Sequence, residues 1–197
     1  IYHDVIKDRL YTDPANSVRR RCTQTALHCL VTGLCRLLAP ILAFTADEAW
    51  EFIPGHTAEQ SVHEAELPLL GFKLDAAEEA GWAGLFKLRD LALAELEKAR
   101  QAKLIGKGLD ARVNISGAEA EVGFARANVD LMRELLNVSQ LKVVISDLEE
   151  VQVCVDPAEG QKCERCWHWE LDVSSHAEHP TLCGRCVEAV KVRLNVA

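Results

Sequence analysis

The sequence predicts a mainly α protein, a helical bundle followed by a small α+β module and a C-terminal four-cysteine module. Three observations predict it. Apolar residues recur at spacings of three and four over the first hundred positions, β-branched runs replace that pattern after Gly106, and two Cys-x2-Cys pairs lie near the end. The boundaries this implies are 1–105, 106–158 and 159–197.

In the first segment, Asp13 followed by Pro14 has the form of a helix start, an N-cap oxygen before a residue that has no N–H to satisfy. Cys22, Ala26, Cys29, Leu30, Gly33, Leu34, Leu37 and Ile41 then keep helical spacing until Pro40 bends or ends the helix. Thr45 with Glu48 has the form of a capping box, so a second helix is expected through Ala49, Trp50 and Phe52 to Pro54-Gly55. After an acidic loop, Ala76 to about Leu104 is expected as one long helix. Trp82, Leu85, Phe86, Leu88, Leu91, Leu93 and Leu96 supply its buried side.

In the second segment, Arg112–Ser116, Gln140–Ile145 and Val151–Val155 are expected as strands, with a helical stretch holding Leu131, Leu135 and Leu136 between the first two. Pro157 to Gly160 is a turn-rich link into the last segment.

The 197 residues, 49% of them apolar, are enough for one good core and a small appendage. No apolar run reaches membrane-spanning length and no secretory leader opens the chain, so a cytoplasmic protein without a membrane partner is expected. The only methionine is Met132, and Ile1 lies inside a helical pattern, so a piece of a longer protein is expected. The formal charge of -8 argues against nucleic acid at first sight, because phosphate needs clustered Lys and Arg. The distribution of that charge removes the objection. Residues 45–80 hold nine acids, among them Asp47, Glu59 and Glu79, against Lys73 alone, and so account for the whole net charge. Residues 1–21 carry Lys7, Arg9, Arg19, Arg20 and Arg21 against three acids, and 87–112 carry seven bases against four acids. Contact with RNA is allowed.

Cys163-x2-Cys166 and Cys183-x2-Cys186, sixteen residues apart, have the spacing of two zinc knuckles, in which each tight turn supplies two thiolates to one tetrahedron. One structural Zn2+ is expected there. Four thiolates leave such a site at -2, and Lys162, Arg165, Arg185 and Lys191 lie close in sequence to offset it. With few apolar residues of its own, the segment should need its metal to fold. His168, His176 and His179 are not needed as ligands, since four cysteines close a structural shell. Cys22, Cys29, Cys35 and Cys154 sit in apolar patterns and are expected to be buried small hydrophobes. Trp167 and Trp169 would share one face of a strand opposite His168, either as a small aromatic core or as a platform for an unstacked base.

Several runs together resemble a known family. They are Asp8-Arg9-Leu10-Tyr11, the arginines 19–21 with Gln24-Thr25-Ala26-Leu27, and Leu38 to Trp50 (LAPILAFTADEAW). With Ser61-Val62-His63, Lys103 to Lys107, Cys163-Glu164-Arg165-Cys166-Trp167 and Cys183-Gly184-Arg185-Cys186, they run in the order of the C-terminal part of bacterial isoleucyl-tRNA synthetases. The resemblance implies a bundle of the class I synthetase anticodon-binding type, and a parent enzyme that ligates isoleucine to tRNA(Ile) with ATP and Mg2+ in an upstream catalytic domain. It places anticodon contacts at Arg9, Arg165 and Trp167, and implies a monomer. The four-cysteine tail marks the isoleucyl rather than the valyl type. Gly108 departs from the serine more usual in the family. No HIGH-type or KMSKS-type nucleotide motif and no catalytic residue is present in this sequence, so the chain alone is expected to be inactive. A similar tail ends the formamidopyrimidine DNA glycosylases, but their β-rich domain with an N-terminal proline suits these helical residues poorly. A zinc-stabilised interaction module without RNA is the other alternative.

Overall fold

The computed structural model describes residues 1–55, 61–66, 71, 73–147 and 150–194, and among them the chain falls into two compact units, 15–73 and 1–14 with 74–194. Glu59, counted in the acidic run, lies outside the described residues.

The 15–73 unit is built on α2 (Val18–Leu38) and α3 (Ala43–Glu51). Ser17 caps α2, its Oγ accepting from the Arg20 backbone N–H at 3.3 Å. The cap expected at Asp13 is therefore corrected. So is the Thr45–Glu48 box: α3 begins at Ala43 after Leu42, with its first ladder bond from Ala46 N to Leu42 O at 2.8 Å, so Thr45 already lies inside the helix instead of capping it. α2 ends at Leu38, two residues before Pro40, as a missing N–H requires. Cys35, Ala39, Ala46, Trp50, Ile53 and Val62 form this unit's core, and the Arg36 guanidinium lies 5.1 Å over the Trp50 ring. Asp47 fastens the turn at Val62–Glu64 by accepting from Ser61 Oγ at 2.7 Å and Val62 N at 2.9 Å. These bonds hold its carboxyl below the ordinary value.

The other unit starts with α1 (Tyr2–Tyr11) and resumes with α4 (Ala76–Gln101). Asp75 and Glu78 make a reciprocal capping box at the start of α4. Leu85, Leu88, Ala92, Leu96 and Ala99, three or four apart, form its buried stripe. Phe86, Leu91 and Leu93, expected on that side, are exposed, because seven large apolar residues subtend more than one face of a helix. The α+β module follows as β1 (Ala111–Gly117), α5 (Glu119–Ala127), α6 (Val129–Leu136), β2 (Gln140–Ile145) and β3 (Gln152–Pro157). The sheet order is β2-β1-β3. β1 pairs with β2 in parallel and with β3 antiparallel, and every second residue of β1 is buried.

One core joins α4 to this module: Leu85, Leu88, Ala92 and Leu96 pack with Val113, Ile115, Val122, Met132 and Val143. The segments 1–105 and 106–158 differ in sequence pattern, yet α4 buries its stripe in the second. At Gly81 an added Cβ would lie 2.6 Å from the tip of the Phe124 ring, so a side chain there would make that half-exposed ring move aside. Leu88 is 2% exposed, so Leu88→Ala should cost about 2 to 5 kcal/mol in urea denaturation without changing metal content. A cost near zero would show that this core is not continuous. Cys22 and Cys154, expected to be buried, are exposed, Cys29 is half-buried and Cys35 is buried. Among the described residues, no helix is long and apolar enough to cross a membrane.

Candidate metal centre and nucleic-acid interface

The last segment carries two short strands, β4 (Gln161–Lys162) and β5 (Trp169–Glu170), and one helix, α7 (Gly184–Leu194). Each cysteine pair enters on a turn. The first turn closes by Trp167 N donating to Cys163 O at 2.9 Å and Cys163 N to His168 O at 2.8 Å, and the second leads into α7, with Val187 N donating to Cys183 O at 3.0 Å. Cys163, Cys166, Cys183 and Cys186 are all buried, with their sulfurs within 4.8 Å of one another. Zn–S bonds of about 2.3 Å in a tetrahedron require S···S edges of about 3.8 Å, and Cys166 Sγ and Cys183 Sγ stand 3.7 Å apart. The donor set therefore fits a zinc ion.

Its electrostatics point the same way. The neighbouring thiols of Cys183 and Cys186 donate to Cys166 and push its thiol far down, while their own are pushed up, Cys186 to about 12, by serving as those donors. The Cys166 thiolate forms readily and those of Cys183 and Cys186 do not. A divalent cation is what lets all four ionise together. The surrounding shell helps: Cys183 N–H points at Cys163 Sγ at 3.4 Å and an Arg165 Nη lies 3.4 Å from Cys186 Sγ. No histidine belongs to the cluster among the described residues. His176 instead faces Asp172 at 3.4 Å, and that carboxylate accepts the Gly184 N–H at 2.7 Å, at the start of α7.

The cluster is also most of its own core. Cys163, Cys166, Cys183 and Cys186 pack with Val173 and, at the margin, Leu182. Docking onto the α+β module comes through Trp169, whose backbone N–H donates to Ser139 Oγ at 2.8 Å and whose indole N–H donates to Asp110 at 3.1 Å. Ser139 is fully buried and donates in turn to Leu109 O at 2.5 Å. Trp169 is thus structural. Trp167 is not on its face: it takes a left-handed backbone, φ 67°, and is 58% exposed, because the strand is only two residues long and begins after it.

The other two expected RNA contacts are partly engaged by protein. Arg9 donates through Nε and Nη2 to Glu134 of α6, with Nε at 2.9 Å. Arg165 donates to Thr12 O at 2.5 Å, and the rest of its fork makes no hydrogen bond among the described residues. Asp8, Thr12, Asp13, Asp110 and Ser139, the residues that receive this segment, carry no mark of that role in the sequence. Polar residues that accept across 30 to 177 positions leave no periodic signal. Beside the segment, an open groove of about 790 Å3 runs over the outer face of β1 and β2, lined by Arg112, Asn114, Lys142, Arg133, His168 and Glu170 among others.

Comparison with known proteins separates the readings of this site. Residues 1–115 match the family described as the anticodon-binding domain of tRNA ligase. The chain belongs to that family. Residues 160–189 match a second family, described as a zinc finger found in FPG and IleRS, and that match contains all four clustered cysteines. The chain is 40% identical over 204 residues to the isoleucine–tRNA ligase of Desulfitobacterium hafniense and 41% over 202 residues to that of Syntrophotalea carbinolica, covering 96% and 98% of this sequence. The ligase of Neisseria meningitidis serogroup A is 37% identical over 191 residues. The chain spans about a fifth of the length of these relatives, 22%, 22% and 20% respectively. A glycosylase would share only the zinc finger, whereas the anticodon-binding match covers the helices before it.

Proposed function

We propose that this chain is the anticodon-reading part of an isoleucine–tRNA ligase and that its partner is tRNA(Ile). What carries the reading is the order of two features in one chain, an anticodon-binding domain over 1–115 and a four-cysteine zinc finger over 160–189. Cys163, Cys166, Cys183 and Cys186 hold one structural zinc. Trp167 is the leading RNA contact, since its indole is exposed on the turn between the knuckle and β5. Arg165 offers the unengaged part of its guanidinium one residue before Cys166, and Arg9 contributes from α1. Residues 1–105 grip the anticodon arm and 159–197 read its bases. The protein works as a monomer in the cytoplasm, and ATP and Mg2+ act in the catalytic part of the longer enzyme. Holding the anticodon at one end orients the tRNA so that its acceptor end reaches that distant site.

The test is binding of a tRNA(Ile) transcript against the same transcript with a swapped anticodon, at two salt concentrations. Preference for the isoleucine anticodon is the expected result. Equal binding of both, lost alike as salt rises, would mean phosphate contact without anticodon reading, and no binding of either would leave a zinc-stabilised interaction module.

A further inference from the structure

The two knuckles repeat one pattern, Cys-x-Arg-Cys, and both arginines reach the same helix end. Arg165 of the first donates to Thr12 O at 2.5 Å. Arg185 of the second makes a two-pronged contact with the Asp8 carboxylate, Nη2 to Oδ1 at 2.8 Å, and stands 3.6 Å from Asp13. Asp8 and Thr12 are one turn apart at the C-terminal end of α1, and Thr12 Oγ1 donates to Asp8 Oδ1 at 2.7 Å, so the acceptors are tied to each other as well. Asp13 is 5% exposed and the Asp8 and Arg185 side chains 20% and 33%, which places the contact in a partly dry seam where a charged fork and carboxylate are strongly coupled. The next residue of α1 after Asp8 is Arg9, held on its other side by Glu134 of α6.

We propose that Asp8 and Arg185 are positioning residues for RNA recognition: the paired knuckle arginines clamp the end of α1 to the metal segment, and this fixes where Arg9 stands. The four cysteines make up most of the core behind the knuckle turns, so losing the ion loosens those turns, and the clamp ties metal occupancy to the RNA-binding competence of α1. In this arrangement Arg165 serves the clamp with one nitrogen and can meet RNA with the rest. The inference rests on the proposed anticodon function. It adds that two residues without RNA contact of their own are needed for it.

The test uses the zinc-loaded chain, with Asp8→Ala as the main variant, Asp8→Glu as the conservative one, and Arg185→Lys, which keeps the charge but loses the fork. Zinc content and the thermal transition are measured first, then affinity for the tRNA(Ile) transcript, alone and combined with Arg9→Ala. Asp8→Ala is expected to keep its zinc and bind roughly tenfold more weakly, with Asp8→Glu and Arg185→Lys recovering part of the loss. Combined with Arg9→Ala it should lose little beyond Arg9→Ala alone, because both changes remove the same placed guanidinium. A purely structural role would instead multiply the two losses. Multiplied losses, or wild-type affinity in Asp8→Ala, would overturn the clamp while the anticodon reading stands. Failure of the unaltered chain to bind any tRNA would remove both. Should Asp8→Ala not fold, Arg185→Lys decides: full affinity with zinc retained overturns the clamp, and a loss shared with Arg9→Ala supports it.

Discussion

Replacing Cys183 with serine is expected to release the zinc and unfold residues 159–194 while the rest of the chain keeps its cooperative transition. The reason is the composition of that small core. Four of its five buried members are the cysteines themselves, with Val173 the remaining one, so without a metal little apolar surface holds the turns together. The α4 and sheet core, by contrast, has its own continuous packing of leucine, valine, isoleucine and methionine. Elemental analysis should give one zinc per unaltered chain and less than a tenth of that for the variant, and near-ultraviolet dichroism should show Trp169 released from Asp110. A native-like, metal-free variant would show that the module folds on packing alone. Acid should act like the mutation. Zinc must displace protons from Cys183 and Cys186, whose thiols are pushed up in the metal-free cluster, so metal is held more tightly as pH rises and is lost as pH falls. A zinc occupancy independent of pH between neutral and about pH 4 would contradict that ligand set.

Trp167→Ala is expected to leave zinc and fold intact and to weaken binding of the isoleucine-anticodon transcript by about 5- to 150-fold, the range of roughly 1 to 3 kcal/mol for one stacked base. The geometry separates this indole from its neighbour. Trp169 is hydrogen-bonded through both its backbone and its ring, whereas Trp167 is 58% exposed on a turn with positive φ. Little packing is lost on truncation, so stability should change by less than about 1 kcal/mol. The effect should also be selective, because stacking acts at one base of the anticodon, while a phosphate contact would weaken the swapped transcript equally and reduce the salt dependence. Release of zinc by Trp167→Ala would make the indole part of the core. Unchanged affinity and discrimination would move recognition to the helices around Arg9.

Much of this is legible in the sequence because its signals are local. Helix α4 announces itself by its helically spaced leucines, β1 and β2 by β-branched runs, and the metal centre by two Cys-x2-Cys turns that need only to meet. Where local chemistry offers two uses for a residue, a distant partner chooses between them. Asp13 before Pro14 has the form of a cap, yet its carboxylate faces Arg185, some 170 positions away in sequence. Thr45 and Glu48 have the spacing of a capping box, but α3 starts two residues earlier, where Ala46 and Trp50 can reach the α2–α3 core. Helix α5 has no strong apolar run to signal it. It is stabilised by Val122 and Ala125 packing into a core supplied by other elements.

By itself, the sequence determined the kinds and order of the parts: helices, the strands of a small α+β module, and four thiols spaced for one tetrahedral ion. Those follow from periodicity and ligand spacing, which act over a few residues. Only the tertiary structure decided that α4 buries its stripe against the sheet module, that Trp169 is an anchor and Trp167 is exposed, and that both knuckle arginines hold the end of α1. The first depends on which distant apolar face meets the stripe, and the anchor and the clamp on which distant carboxylate, carbonyl or hydroxyl is brought within about 3 Å of a donor. A hydrogen bond acts across that gap whatever the separation along the chain, so nothing in the local pattern records it.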